Sequence, residues 1–156
     1  MDTSGHWSHQ DVHSKHNMSD VYIQPNWSYN WTALITEHIS KLTPKPKYLV
    51  FNAGLWPHDL GEPAVLESIK QALNASNIVG IYKTTTFPRL KIPNPATYKE
   101  GRHDADVCKS MQNRCIDMSW TNNLTGHVHY VDKRHFRSHV NTAMNMQLLN
   151  LLNELE

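Results

Sequence analysis

Asp132 and His135 are the two residues whose types and spacing most directly suggest chemistry. They stand three positions apart in "YVDKRHFRSH" (130–139), where an apolar run ends and a helical pattern begins. If the chain turns there after a strand, the carboxylate can bond one imidazole nitrogen and leave the other for proton transfer. The alternative is structural: Asp132 caps the final helix, and His135 is a surface residue of its first turn.

A second candidate group lies in "FNAGLW" (51–56), where Asn52 ends an apolar run. An Asn side-chain amide at a strand end can donate a hydrogen bond to an oxyanion. Gly54, two residues later, would permit a tight turn or a close backbone approach. The alternative is that Asn52 only closes the strand in an Asx-turn.

These residues need a scaffold, which the apolar pattern predicts. Helical spacing of apolar residues indicates helices over residues 31–42, 62–76, 105–118 and 138–155. Short apolar runs indicate buried strands over residues 47–54, 77–86 and 127–132. This alternation predicts an α/β fold: an open parallel sheet of about three strands, with helices on both faces in three layers. Ligands bind beyond the carboxyl ends of such strands, so we expect Asn52 and the Asp132–His135 pair at one edge.

Length and composition narrow the function classes. A chain of 156 residues suits one domain. We predict a polar, His-rich, disordered tail over residues 1–25 and the α/β domain over residues 26–156. Because 15 Lys+Arg nearly balance 14 Asp+Glu and no basic stripe alternates with aromatic residues, we expect no nucleic-acid partner. No apolar stretch approaches the roughly 18 residues of a membrane span, and the pattern indicates no particular oligomeric state.

Glycosylation sequons and cysteines bear on the compartment. Five asparagines fit the N-x-[ST] pattern: Asn17, Asn26, Asn30, Asn74 and Asn123. The composition alone would give about two. The excess favours a secretory lumen, such as the Golgi, or the extracellular space, and requires a signal upstream of residue 1 because "MDTSGHWSHQ" has no apolar core. On one straight helix Cys108 and Cys115 would lie about 10 Å apart, too far for a disulfide, so either the helix breaks, both are free, or one pairs elsewhere.

Three motifs in order carry a family resemblance: "YLVFNAGLWPH", "IYKTTTFP" and "YVDKRHF" followed by a closing helix. From about Pro46 to Glu156 the chain resembles the SGNH-type esterase superfamily, in particular the C-terminal half of its PC-esterase or trichome-birefringence-like branch. The resemblance implies a partial SGNH-like domain that adds or removes acyl groups on glycans, with no cofactor. It also implies roles: Asn52 as oxyanion donor, His135 as general base, Asp132 as its orienting carboxylate and Gly54 at the turn.

The sequence departs from that family at the nucleophile. Members carry the reactive Ser in a Gly-Asp-Ser block after the first strand, and this sequence contains no such block; its nearest string is "MDTSG" around Ser4. We therefore expect the C-terminal portion of an acyl esterase or O-acetyltransferase that is inactive as this chain. Without the first two strands of the family, the edge of the Asn52 strand would also be exposed.

Two other interpretations of the function stay open. A non-catalytic relative could bind glycans, with Trp56 and Trp120 stacking on sugars, although tryptophan is also ordinary core filler. The second is a metal-binding protein, because His6, His9, His13 and His16 would share one face if the N-terminal segment were helical. The surrounding residues are poor helix formers, which favours the disordered tail.

Overall fold

The fold is built around a small, open, parallel sheet. The computed structural model describes residues 7–13, 18–23, 30–52, 60–94 and 98–156. The sheet has three strands, β3 (Tyr48–Phe51), β4 (Val79–Lys83) and β5 (Cys115–Ile116), in the order β3-β4-β5. β3 and β4 pair in parallel from Tyr48↔Val79 to Phe51↔Tyr82. The predicted open parallel α/β fold is thus confirmed, and the predicted strands 47–54 and 77–86 contain β3 and β4.

Helices precede and follow these strands much as the apolar spacing predicts. The bounds are α1 (Trp31–Ala33), continued by a π-helical segment (Leu34–His38) and a 3-10 segment (Ile39–Lys41), then α2 (Pro63–Ala75), α3 (Asp104–Met111) and α4 (Ser138–Leu155). Pro63 suits the first turn of α2 because its missing N–H is not needed there. In the described part of the chain, none of these helices combines the length and apolar character needed to cross a membrane.

Two apolar clusters lie on opposite faces of the sheet, because successive side chains of a strand alternate in direction. Tyr82 belongs to the larger cluster, with buried residues of α2 such as Ile69 and of α3 such as Val107. Its neighbour Ile81 belongs to the smaller cluster, which packs against the stripe of α4 that includes Leu148. Helices therefore cover both faces, as predicted.

The third predicted strand is wrong. Residues 127–132 form a turn that ends in a single antiparallel bridge, Tyr130↔Phe136, and the third strand is β5, inside the predicted helix 105–118. The reason is burial: in 127–132 only Tyr130 is buried, while Val128 and Val131 are 72% and 63% exposed. The exposed valines show that this apolar run is not the buried strand that the pattern predicted.

The helix break that ends α3 also joins the two cysteines. α3 stops at Met111, and Gln112 follows with a φ of 56°, which turns the chain back. Cys108 and Cys115 come to a Cα–Cα distance of 5.3 Å and form a disulfide. Of the alternatives left open by the sequence, the broken helix is the one that occurs.

An antiparallel hairpin lies within the predicted tail. β1 (Trp7–His13) pairs with β2 (Met18–Ile23), with Trp7 opposite Ile23. β-branched and aromatic residues such as Val21 and Tyr22 favour extended chain. The tail over residues 1–25 and the division of the chain at residue 25 stay predictions.

Candidate active site

Asp132 and His135 form a hydrogen-bonded pair. The Asp132 Oδ2 lies 2.6 Å from the His135 Nδ1, and an ionised carboxylate can only accept, so the ring nitrogen donates. The other carboxylate oxygen, Oδ1, accepts from the backbone N–H of Arg134 at 2.7 Å and of His135 at 2.8 Å. Three donors converge on one carboxylate, and this fixes the imidazole relative to it.

These donors determine the charge state of Asp132. The backbone N–H of Arg134, followed by the ring and backbone N–H of His135, holds the pKa of the Asp132 carboxyl far below its ordinary range. Hydrogen bonds to the ionised form favour that form. Asp132 therefore stays ionised at lower pH than an ordinary aspartate does.

The pair is open to solvent: the side chain of His135 is 81% exposed and that of Asp132 is 53% exposed. Within the described residues, the His135 Nε2 has no hydrogen-bond partner. A ring nitrogen in this condition can accept a proton from an incoming group. The structural alternative is partly met as well, since Asp132 closes a local turn; it does not cap α4, whose N-cap is Arg137.

The loop that carries the pair is anchored to the segment after β4. Tyr130 is fully buried, and its hydroxyl donates to the Phe87 carbonyl at 3.0 Å. The Arg89 N–H donates to the Lys133 carbonyl at 3.1 Å, and the Val131 N–H donates to the His135 carbonyl at 2.8 Å. The loop therefore lies beyond the carboxyl end of β4, although no strand of the sheet leads into it.

Asn52 follows β3, and its amide is already used. The Nδ2 donates to the Lys83 carbonyl at 2.6 Å, which ties the ends of β3 and β4 together. The group has two amide protons, and within the described residues the second one has no acceptor. No hydrogen bond joins Asn52 to Asp132 or His135 within the described ranges, so the structure brings those two together and leaves Asn52 at the neighbouring strand end. Gly54 lies outside the described residues.

Asp104 is a polar centre that the sequence pattern does not reveal. This first residue of α3 accepts from the Tyr82 hydroxyl at 2.6 Å and from the Thr85 N–H at 2.8 Å. Burial, with the Asp104 carboxylate beside it, raises the pKa of Tyr82, whereas burial lowers the pKa of Lys83. The partners of Asp104 are about twenty residues away, so the sequence pattern does not predict this contact. The only indication in the sequence is an Asp at the start of a helix.

The other sequence candidates receive less support. His9 and His13 lie in β1, so the helical face needed for metal binding does not form there, while His6 and His16 lie outside the described residues. Among the described residues, no group of three or more His, Cys, Asp or Glu could hold a metal ion. Trp120 is half-buried and donates its Nε1–H to the Gln147 Oε1 at 3.1 Å, and Trp56 also lies outside the described residues.

Comparisons with known proteins add no assignment: no protein-family model, no curated protein and no solved structure matches this chain.

Proposed function

We propose that this chain is the C-terminal portion of an SGNH-like acyl esterase or O-acetyltransferase that acts on acylated glycans. The observation that supports it most is the bond of 2.6 Å between the Asp132 carboxylate and the His135 imidazole. An oriented, solvent-accessible base is what transfer of an acyl group through a serine needs. In this proposal the chain supplies the base, its orienting carboxylate and one oxyanion donor.

The steps of the proposed acyl transfer follow from which of these groups can donate a proton and which can accept one. A nucleophilic hydroxyl oxygen attacks the acyl carbonyl carbon while its proton passes to the His135 Nε2, and the carbonyl electrons move onto oxygen. Asp132 stabilises the imidazolium that forms. The second amide proton of Asn52 donates a hydrogen bond to the oxyanion. His135 then returns its proton to the departing sugar oxygen, and water or an acceptor hydroxyl later takes the acyl group from the serine.

The serine itself is not assigned to any position of this sequence, because no Gly-Asp-Ser block occurs in it. The proposal therefore requires that the nucleophile comes from a segment outside residues 1–156, and it expects no acyl transfer by these residues alone. A secretory lumen or the extracellular space is the proposed location. The Cys108–Cys115 disulfide supports it, since disulfides persist mainly in oxidising compartments.

The first test is the reading frame of the transcript. If mapping of its 5′ end finds an in-frame Gly-Asp-Ser at the end of an apolar run upstream of Met1, the esterase proposal gains its missing part. If an in-frame stop codon precedes Met1 directly, the proposal is abandoned. This mapping is informative because it does not depend on knowing the glycan.

The second test measures enzyme kinetics. It uses the longer protein that contains a Gly-Asp-Ser block. We expect His135→Ala to abolish hydrolysis of p-nitrophenyl acetate and Asn52→Ala to lower kcat by about 10²–10³, the usual effect of losing one oxyanion donor. His139→Ala is the matched control, an exposed histidine of α4 that contacts His129. Unchanged turnover in His135→Ala, or equal losses in His135→Ala and His139→Ala, would refute the mechanism.

A non-catalytic glycan-binding protein is the second candidate. It is favoured by an open groove of about 260 Å³ between β5 and α4, whose polar lining includes Asp117, Gln147, Asn150 and Glu154. Side chains of these types can bond sugar hydroxyls. Glycan binding that Gln147→Ala or Asn150→Ala removes and His135→Ala leaves intact would favour this candidate over the esterase.

A further inference from the structure

Two loop segments form one continuous surface around His135. Residues 87–92 and 127–137, which we call the basic surface, are joined by the Arg89 N–H bond to the Lys133 carbonyl. The Arg89 guanidinium also lies 3.2 Å from both ring nitrogens of His127, and the Arg137 Nε donates to the His127 carbonyl at 2.7 Å. The two segments are therefore held next to each other by backbone and side-chain contacts.

The charge of this surface is strongly one-sided. Its cationic side chains are Arg89, Lys91, Lys133, Arg134 and Arg137, and its single carboxylate is Asp132. These are five of the 15 Lys+Arg and one of the 14 Asp+Glu, which leaves 10 Lys+Arg and 13 Asp+Glu for the rest of the chain. A net charge close to zero thus conceals a positive face beside a mildly negative remainder, and such a face attracts anions.

The same surface holds exposed large apolar side chains. Among residues 30–52, 60–94 and 98–156, Leu90, Val128 and Val131 are 74%, 72% and 63% exposed, more than any other large apolar residue. Single exposed apolar residues are ordinary, but three that accompany five cations within two joined loops are a feature of binding surfaces. A partner of this surface needs anionic groups and small apolar groups together.

We propose that the basic surface binds an acidic, acylated glycan, which makes the substrate class of the proposed esterase a polymer with carboxylate or sulfate groups. Its anionic groups pair with the Lys and Arg side chains, and its acyl methyl groups contact Val128, Val131 and Leu90. The Asp132–His135 pair lies within the surface, so an ester bound there is within reach of the base. This inference rests on the proposed function.

A lipid bilayer is the competing partner, since cations and apolar side chains also favour anionic membranes. One observation argues against it. The disulfide indicates an oxidising compartment, whereas the anionic lipids lie mainly in the cytoplasmic leaflet.

The test uses polymers that differ in one property at a time, with the 156-residue chain and isothermal titration calorimetry. Acetylated homogalacturonan is the acidic probe, and its carboxyl-reduced form, in which each carboxylate is a primary alcohol, removes the charge while keeping the backbone and adding no apolar group. We expect binding to the acidic form at least tenfold tighter than to the neutral form in 50 mM NaCl. We also expect most of that preference to disappear in 500 mM NaCl, where the screening length falls to a few ångströms.

Paired variants locate the binding on the molecule. Lys91→Gln with Lys133→Gln should weaken binding of the acidic polymer about threefold to tenfold, whereas the control pair Lys41→Gln with Lys45→Gln removes the same charge elsewhere and should have no effect. Val128→Ser with Val131→Ser should reduce the preference for acetylated over deacetylated polymer. Its control, Met146→Ser with Leu149→Ser, changes exposed apolar residues of α4.

The inference is overturned if the neutral polymer binds equally well, or if both lysine pairs weaken binding alike. Stronger binding to phosphatidylcholine vesicles with 20% phosphatidylserine than to any polymer would assign the surface to membranes instead. Binding needs no nucleophile, so these outcomes leave the acyl-transfer proposal to its own tests. Conversely, a transcript without a Gly-Asp-Ser block would remove the esterase and leave the charge preference measurable.

Discussion

Asp104 and Asp132 are two carboxylates that accept similar sets of hydrogen bonds in different surroundings. Asp104 bonds the Tyr82 hydroxyl and both the N–H and hydroxyl of Thr85, so it links α3 to the end of β4. Asp132 bonds two backbone N–H groups and an imidazole of its own loop. The first carboxylate holds two elements together, whereas the second holds a titratable ring in the solvent. Hydrogen-bond number alone therefore does not separate a structural carboxylate from a candidate functional one.

The largest expected effect concerns Asp104. Asp104→Ala should lower the free energy of unfolding by about 2–4 kcal/mol, because it leaves the buried Tyr82 hydroxyl and the Thr85 N–H without their acceptor. Urea denaturation measures this change. The control is Asp106→Ala, which changes an exposed residue in the same helix turn. It should lower the free energy of unfolding by less than about 1 kcal/mol. Similar losses in both variants would mean that Asp104 is no more structural than its neighbour.

An intermediate effect distinguishes the tyrosines of the two regions. Tyr82→Phe removes a bond to a carboxylate and should cost about 1.5–3 kcal/mol, whereas Tyr130→Phe removes a bond to the Phe87 carbonyl and should cost about 1 kcal/mol. The double variant Tyr82→Phe with Asp104→Ala should cost clearly less than the sum of the single changes, since both remove one contact. Additive costs would contradict that contact.

The smallest effect is on titration. The depressed pKa of Asp132 means that its bonds stabilise the fold above the unfolded pKa of about 3.9 and that this contribution is lost as the pH falls through the folded pKa. In NMR titrations of the carboxyl carbon, His135→Ala should raise the pKa of Asp132 only part of the way to its ordinary value. The Arg134 N–H, which contributes most, remains. His139→Ala should leave that pKa unchanged, and full recovery in His135→Ala would show that the ring alone lowers it.

The elements that could be predicted are those with long, regular apolar patterns. Apolar residues recur at the spacing expected for a helix in α2 and α4, and as short apolar runs in the strands β3 and β4. Each of these elements lies within its predicted range. β5 could not be predicted because two residues carry no period, and because the turn at Gln112 and the Cys108–Cys115 disulfide act across a helix end. Residues 127–132 were wrongly predicted as a strand because their valines give the sequence pattern of a buried strand, although these valines are exposed.

The contacts of the candidate site also fall into two groups, those that the sequence could predict and those that it could not. The Asp132–His135 bond depends on residues three apart, so local spacing was enough to suggest it, while its catalytic role stays a prediction. The Asn52 bond to the Lys83 carbonyl and the Asp104 contacts join residues 31 and about 20 positions apart. Such contacts depend on how strands and helices pack, which the spacing of residue types does not encode.

The attachment of α4 has a consequence for local unfolding. Of its 18 residues only Val140 is fully buried, and its apolar stripe rests half-covered on a sheet that ends in a two-residue strand. Segments with few buried contacts open at a lower free energy than the domain as a whole, so the amide hydrogens of α4 should exchange with deuterium earlier than those of β4. Tyr130 anchors the preceding loop to Phe87 rather than to α4. The C-terminal helix can therefore open and close while the imidazole of His135 keeps its carboxylate.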